Sequence, residues 1–157
     1  MIEKTNVMRI IEQKKLPYNS RYYGDTGAIS GAEVAAAIGE DPHRVFKTLV
    51  CTGKTGNHYV FVIPVEEELD LKKAAKAVGE KSMEMLKAKD LLPLTGYIHG
   101  GCSPIGMKKF FTTTVHTTAA NYPTIFFSGG KIGWQVEMSL ADLAKIIRLQ
   151  TADLTAT

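Results

Sequence analysis

The sequence is poor in the residues that cross-link small proteins. Its 157 residues include only two cysteines, Cys51 and Cys102, which lie far apart and form no CxxC motif. A disulfide framework is therefore not predicted, and a reducing compartment, the cytoplasm, is expected. A chain of this length can bury a core without cross-links, so we predict one domain over residues 1–157.

Long apolar segments are also lacking. No apolar run has the length of a membrane span, and charged residues interrupt the first fifteen positions, where a secretory signal would carry an apolar core. Apolar residues make up 45% of the chain and charged residues 22%, which is typical of soluble globular proteins. No membrane partner is expected. The net charge of +3 permits a polyanionic partner without requiring one.

Motifs of several common enzyme classes are absent. Gly53-Lys54-Thr55 resembles the end of a phosphate-binding loop, but Thr48 stands where the motif needs its first glycine. No GxSxG motif of serine hydrolases is present. His99 and Cys102 have the spacing of two metal ligands, yet no second such pair accompanies them. A metal role is thus the weaker interpretation of that loop, and we expect neither a metal nor a cofactor.

What the sequence does contain is a mixture of helical and strand patterns. Apolar spacing and capping residues predict helices over about 7–14, 30–39, 70–79 and 88–94, and one that begins at Ser139. β-rich runs predict strands at 18–23, 45–52, 58–65, 125–127 and 134–138, four of them joined in two hairpins. Because no regular βαβ series appears, an α+β fold with a mixed sheet is predicted. The tail from Gln150 to Thr157 is predicted to be loose.

Lys47 is the first feature above this background. Strand alternation places it on one face with Val45 and Leu49. A lone lysine among apolar neighbours must bring its ammonium to water, to a carboxylate or to a ligand anion. A structural lysine near a strand end and a ligand-binding lysine are equally good interpretations of this pattern.

The second feature is the glycine-rich segment Gly96–Gly106. Two adjacent glycines, a small polar residue and a proline form a bare, rigid loop, whose backbone N–H groups can bind an anion or a carbonyl oxygen. An ordinary tight turn explains the same residues equally well. Lys108 and Lys109 follow directly and add positive charge.

At these residues the chain resembles the YbaK/EbsC family, which is related to the editing domain of prolyl-tRNA synthetase. The resemblance runs from about Thr5 to Ile147, and Lys131-Ile132-Gly133 favours the EbsC-like branch. The segments that carry it are Phe46–Leu49, Leu69–Lys76, Thr95–Tyr97, Gly100–Gly106 and Ser128–Lys131. Phe110-Phe111 and the segment Leu149–Thr157 depart from the family pattern.

The resemblance implies a mixed, partly barrel-like β-sheet surrounded by helices. It also implies trans-editing deacylation of mischarged tRNA, typically Cys-tRNA(Pro), in which the substrate's own thiolate attacks the ester. The partners would be the 3′ end of an aminoacyl-tRNA and, less directly, prolyl-tRNA synthetase. An alternative is a non-catalytic regulator that binds a tRNA end or a nucleotide with the same pocket.

The resemblance further implies the site residues. Lys47 would be the catalytic residue, polarising the terminal nucleotide end of the substrate, and no metal would be used. Tyr23 would lie in the pocket, although the adjacent Tyr22 is also eligible. The remaining substrate-binding residues would be Gly100, Gly101, Cys102, Ser103, Pro104, Ser128 and Gly129.

Overall fold

The computed structural model describes residues 4–157, which form five α-helices, eight strands and two short 3-10 helices. The helices are α1 (Asn6–Gln13), α2 (Gly31–Ala37), α3 (Leu71–Val78), α4 (Ala88–Thr95) and α5 (Leu140–Leu143). The strands are β1 (Asn19–Tyr22), β2 (Phe46–Gly53), β3 (His58–Pro64), β4 (Met83–Met85), β5 (Thr113–His116), β6 (Ile125–Ser128), β7 (Trp134–Met138) and β8 (Leu149–Ala152). The 3-10 helices are Pro42–Arg44 and Thr117–Asn121. Within 4–157, no helix has both the length and the apolar character needed to cross a membrane.

The strands form two sheets. A five-stranded sheet has the order β4-β2-β3-β5-β8, in which β3, β5 and β8 are parallel neighbours and the other pairs are antiparallel. A three-stranded antiparallel sheet has the order β1-β7-β6. A parallel bridge between Val45 and Phe126 joins the two sheets at one corner. The predicted α+β class with a mixed sheet among helices is confirmed.

Local chemistry explains the elements that the sequence predicted. Ser30 and Glu33 form a capping box at the start of α2, and Asp70 accepts hydrogen bonds from two backbone N–H groups at the start of α3. Gly79, with φ of +77°, ends α3 in the left-handed conformation that glycine tolerates best. The turn over residues 53–57 joins β2 to β3 in the predicted hairpin.

The core has two main layers on opposite faces of β3. Val60 and Val62 pack into a cluster with helix α1, whereas Phe61 and Ile63 pack into a second cluster with helix α3. Strand alternation produces this division, because successive side chains point to opposite faces. Burial on both faces holds β2 and β3 in place, and β2 carries Lys47.

The prediction of a loose tail is wrong. Leu149–Ala152 forms β8, which pairs in parallel with β5, and Leu154 is fully buried. The backbone O of Leu154 accepts a hydrogen bond of 2.8 Å from the N–H of Asp70. Such a strand depends on partners far away in sequence, so no local pattern indicated it. The last helix is also short: the apolar spacing of Leu140, Leu143, Ala144 and Ile147 predicts a helix that reaches Ile147, but α5 ends at Leu143.

Candidate functional site

A cavity of about 210 Å³ opens beside the start of strand β2. We call it the Lys47 cavity. Its walls come from β2, the start of helix α2, the glycine-rich loop and the β6–β7 hairpin. Five of the predicted site residues line it, namely Tyr23, Lys47, Gly100, Cys102 and Ser128.

Lys47 contributes an unpaired cation to this cavity. The side chain is half-buried, and within residues 4–157 it forms neither a hydrogen bond nor an ion pair. Burial lowers the pKa of its ammonium group, and the more distant carboxylates of Glu68 and Glu67 offset this only in part. A partly desolvated ammonium without a counter-ion favours binding of an anion or of an oxygen that gains negative charge.

The glycine-rich loop contributes His99, Gly100 and Cys102 to the cavity wall. Gly100 has φ of +89°, a conformation that favours glycine. The N–H of Gly101 donates a 3.0 Å hydrogen bond to Ile98 O, whereas the N–H groups of Gly100 and Cys102 donate none within the part of the chain that is described. Two residues of the cavity wall therefore carry backbone N–H groups without a partner among residues 4–157.

Three loop residues that were predicted to bind substrate do not line the cavity. A Cβ on Gly101 would lie 3.2 Å from the backbone N of Ile132, so this glycine allows the loop to pack against the β6–β7 hairpin. Ser103 is buried, and its Oγ accepts a 3.3 Å hydrogen bond from Ile105 N inside the loop. Pro104 lines a different cavity on the other side of the loop.

The structure distinguishes the two adjacent tyrosines. Tyr23 is buried and lines the Lys47 cavity, and its N–H donates a 2.7 Å hydrogen bond to Gly133 O. Tyr22 is 56% exposed, and its ring lies 4.9 Å from that of Trp134. Tyr22 is the last residue of β1 and Tyr23 follows it directly, so the two side chains point to different sides and only Tyr23 lines the cavity.

The β6–β7 hairpin forms the facing wall. Ser128 lines the cavity, and its Oγ accepts a 3.1 Å hydrogen bond from Gly130 N. Gly129 lies behind this wall, where a Cβ would come within 3.0 Å of the Cβ of Trp134. Ser128 thus contacts the cavity, and Gly129 shapes the turn that holds it.

Two polar residues at the cavity escaped the sequence analysis. The Oε1 of Gln135 and the Oγ1 of Thr48 are buried, line the cavity and have no hydrogen-bond partner among residues 4–157. A buried acceptor without a donor is costly, so each of these oxygens is suited to accept a hydrogen bond from a group that enters the cavity. The register of β6 and β7 makes Gln135 the cross-strand neighbour of Ser128, a pairing that the predicted strand at 125–127 did not include.

Cys102 lines the cavity but is a poor nucleophile. Burial raises the pKa of its thiol to about 12, so the thiol stays protonated near neutral pH. Over residues 4–157, no group of three or more His, Cys, Asp and Glu side chains is arranged to hold a metal ion. The lining of this cavity thus contains one ammonium, that of Lys47, and one imidazole, that of His99, beside hydroxyl and amide side chains.

Comparisons with known proteins give one consistent result. Residues 27–146 match the family model described as the aminoacyl-tRNA editing domain. The chain is 46% identical over 154 residues to the proposed Cys-tRNA(Pro)/Cys-tRNA(Cys) deacylase EbsC of Enterococcus faecalis, covering 98% of this chain and 94% of that protein. A 78-residue stretch, half of the chain, is 31% identical to 14% of a proline–tRNA ligase of Pelobacter propionicus.

Solved structures show the same fold. A crystal structure of a proposed trans-editing enzyme for prolyl tRNA synthetase aligns over 99% of this chain and 100% of its own, with a TM-score of 0.83 and 22% identity. A crystal structure of a hypothetical protein aligns over 96% of this chain and 99% of its own, with a TM-score of 0.87 and 22% identity.

Proposed function

Because the chain belongs to the aminoacyl-tRNA editing domain family, we propose that it removes cysteine from Cys-tRNA(Pro) with the help of the substrate's own thiol. The predicted resemblance to the family and to its EbsC branch is confirmed, and the chain is an aminoacyl-tRNA deacylase. The observation that carries the finer proposal is the half-buried, unpaired Lys47 in a cavity with vacant hydrogen-bond groups.

The size of the Lys47 cavity supports a small aminoacyl group as its occupant. Its volume of about 210 Å³ is below the ~300–1,000 Å³ of pockets that enclose drug-sized ligands. A cysteinyl group and its ester fit such a space better than a whole nucleotide does. The terminal adenosine would then lie towards the opening of the cavity, near Lys47.

In the proposed reaction the substrate supplies the nucleophile. The cysteinyl thiol loses its proton to solvent, and the thiolate attacks the ester carbonyl carbon. A C–S bond forms, and the C–O bond to the ribose breaks. The ribose oxygen takes a proton from solvent, which yields deacylated tRNA and a cyclic thiolactone.

The protein would stabilise the charge that develops in this step. The carbonyl oxygen becomes negative in the transition state, and the Lys47 ammonium and the N–H groups of Gly100 and Cys102 are the donors at hand. Donors held in a partly desolvated site interact more strongly with such charge than they would in water. On this proposal, catalysis rests on positioning and electrostatics rather than on a protein acid or base.

The vacant acceptors suggest how the amino acid is oriented. The α-ammonium group of the cysteinyl ester carries donors that the Oε1 of Gln135 lacks in the free protein. A hydrogen bond between them would turn the thiol towards the ester carbonyl. The high pKa of Cys102 supports a substrate nucleophile over an enzyme one.

Single-turnover deacylation tests this function. We expect the purified protein to deacylate Cys-tRNA(Pro) much faster than it deacylates Ala-tRNA(Pro) or Pro-tRNA(Pro). Equal rates on all three would contradict the substrate-thiol mechanism. Tight binding of Cys-tRNA(Pro) without turnover would contradict the proposed deacylation and favour a regulator that binds the tRNA end.

A further inference from the structure

A second cavity, of about 340 Å³, lies on the other side of the glycine-rich loop. We call it the Phe110 groove. Among its described lining residues are three cations and no carboxylate. Those lining residues are Asn6, Ile10, Lys14, Pro104, Gly106, Met107, Lys109, Phe110, Phe111, Thr113, Ile146, Ile147 and Arg148.

The three cations converge from different parts of the chain. Lys14 follows helix α1, Lys109 lies between α4 and β5, and Arg148 directly precedes β8. All three are exposed, and none forms an ion pair within residues 4–157. Like charges held together without carboxylates repel one another and attract a polyanion.

Phe110 adds an aromatic ring to this charged surface. It is 94% exposed, the highest value among the large apolar side chains that the structure describes. The neighbouring Phe111 packs instead against the core and fixes the backbone at this point. Exposed rings beside cations are the usual means by which proteins hold single-stranded nucleic acid, since bases stack on the rings and phosphates bind the cations.

We propose that the Phe110 groove binds the single-stranded acceptor end of the tRNA, an inference that rests on the proposed function. The cations contact phosphates, and Phe110 stacks on a base. Gly100 and Cys102 line the Lys47 cavity, while Pro104 and Gly106 line the groove. The same loop therefore lies between the proposed position of the aminoacyl ester and that of the single-stranded tRNA end to which the ester is attached.

Binding of uncharged tRNA(Pro) across a KCl series tests the cations without relying on catalysis. The groove variant is Lys14→Gln/Lys109→Gln/Arg148→Gln. The control variant, Lys54→Gln/Lys72→Gln/Lys81→Gln, removes the same charge from exposed positions that line neither cavity. The groove variant should bind at least ten-fold more weakly, and its slope of log affinity against log salt should flatten by about two, the value for three lost phosphate contacts on a single strand. The control should behave as the wild-type protein does.

Variants of Phe110 test the stacking contact. Phe110→Ala should weaken tRNA binding by roughly ten-fold without changing the salt slope, because a ring carries no charge. Phe110→Tyr should retain the affinity, whereas Phe110→Leu, which keeps apolar surface but no ring, should not. Thermal unfolding should be the same for all three, since the side chain is exposed.

Kinetics separate this inference from the proposed function. The groove variant should have a higher KM for Cys-tRNA(Pro) than the wild-type protein. Its kcat/KM for Cys-tRNA(Pro) should fall by ten-fold or more relative to its kcat/KM for cysteinyl-adenosine, which lacks the tRNA strand. If the wild-type protein were inactive on both substrates, the proposed function would be contradicted. Binding of uncharged tRNA would still test the groove in that case. Equal affinity and salt slope for the groove and control variants would overturn the inference. Unchanged tRNA affinity in Phe110→Ala would also overturn it. An altered oligomeric state of that protein would then indicate a protein interface at this surface.

Discussion

The Lys47 cavity and the Phe110 groove share one loop but differ in how their polar groups meet water. In the cavity, the ammonium of Lys47 is half-buried, and the free oxygens of Gln135 and Thr48 are fully buried. In the groove, the cations and the ring of Phe110 are exposed. Buried polar groups interact strongly with a ligand, but only when the ligand has the matching geometry. Exposed charges interact weakly, their contributions add, and salt screens them.

This difference suggests a division of labour. The cavity is suited to distinguish one small aminoacyl group from another, because a mismatch leaves buried groups unpaired. The groove is suited to hold any strand of the correct charge. Substitutions in the cavity should therefore lower the rate of deacylation, whereas substitutions in the groove should lower the affinity for tRNA.

The largest effect is expected for Lys47. Lys47→Ala should lower kcat/KM for Cys-tRNA(Pro) by roughly a hundred-fold, as the loss of one transition-state donor does. Lys47→Met, which keeps most of the apolar stem but lacks the ammonium group, should show the same decrease in kcat/KM. The free energy of unfolding should change by about 1 kcal/mol or less, because Lys47 has no ion pair to lose. Single-turnover rates and thermal unfolding measure both quantities.

Lys54→Ala is the matched control for this loss, since Lys54 is an exposed lysine in the β2–β3 turn. It should leave the rate unchanged. The salt slope of tRNA binding should also stay the same in Lys47→Ala. A folded Lys47→Ala protein with a near-normal rate would contradict the role of Lys47.

The next effect concerns the loop that both regions share. In Gly101→Val the branched side chain would meet the backbone of Lys131 and Ile132, which lies only 3.2–3.5 Å from a Cβ at this position. The loop must then move away from the hairpin, so binding of a non-hydrolysable cysteinyl-adenosine analogue should weaken by ten-fold or more. The affinity of Gly101→Ala for the analogue should lie between those of the wild-type protein and Gly101→Val. Calorimetry on the three proteins tests this order, and equal affinities would show that the loop is only a turn.

A smaller effect with an unusual sign is expected at Gln135. In Gln135→Leu the vacant buried acceptor is lost, so kcat/KM for Cys-tRNA(Pro) should fall roughly ten-fold while the free energy of unfolding stays the same or rises by about 1 kcal/mol. Gln13→Leu, at an exposed position in helix α1, is the control and should change the rate little. Lower stability together with normal activity in Gln135→Leu would mark this residue as structural.

The sequence predicted those parts of the fold that depend on neighbouring residues. The helix that begins at the Ser30–Glu33 capping box and the hairpin that turns at 53–57 require only local hydrogen bonds, and both elements were predicted correctly. Strands β5 and β8 were missed because each finds its parallel partner across the chain rather than through a hairpin. Burial of Leu154 follows from that pairing and has no local signal.

The candidate site divides in the same way. A lone lysine in an apolar strand and a pair of adjacent glycines are visible in the sequence, and the structure brings Lys47 and Gly100 to one cavity. A single glutamine in a strand is normally taken for a solvent-facing residue. Only the register of β6 and β7 places Gln135 beside Ser128, and only burial shows that its Oε1 lacks a partner.

The central claim is that the substrate, not the enzyme, provides the nucleophile. The most direct test compares single-turnover deacylation of Cys-tRNA(Pro) and Ser-tRNA(Pro) by the wild-type protein and by Cys102→Ala. We expect Ser-tRNA(Pro) to bind comparably but to react far more slowly, because near neutral pH a small fraction of a thiol is ionised to the nucleophilic thiolate, whereas a hydroxyl is almost wholly protonated. Cys102→Ala should keep the rate on Cys-tRNA(Pro), since the pKa of that thiol is about 12. Equal rates on the two substrates, or loss of activity in Cys102→Ala, would contradict the account.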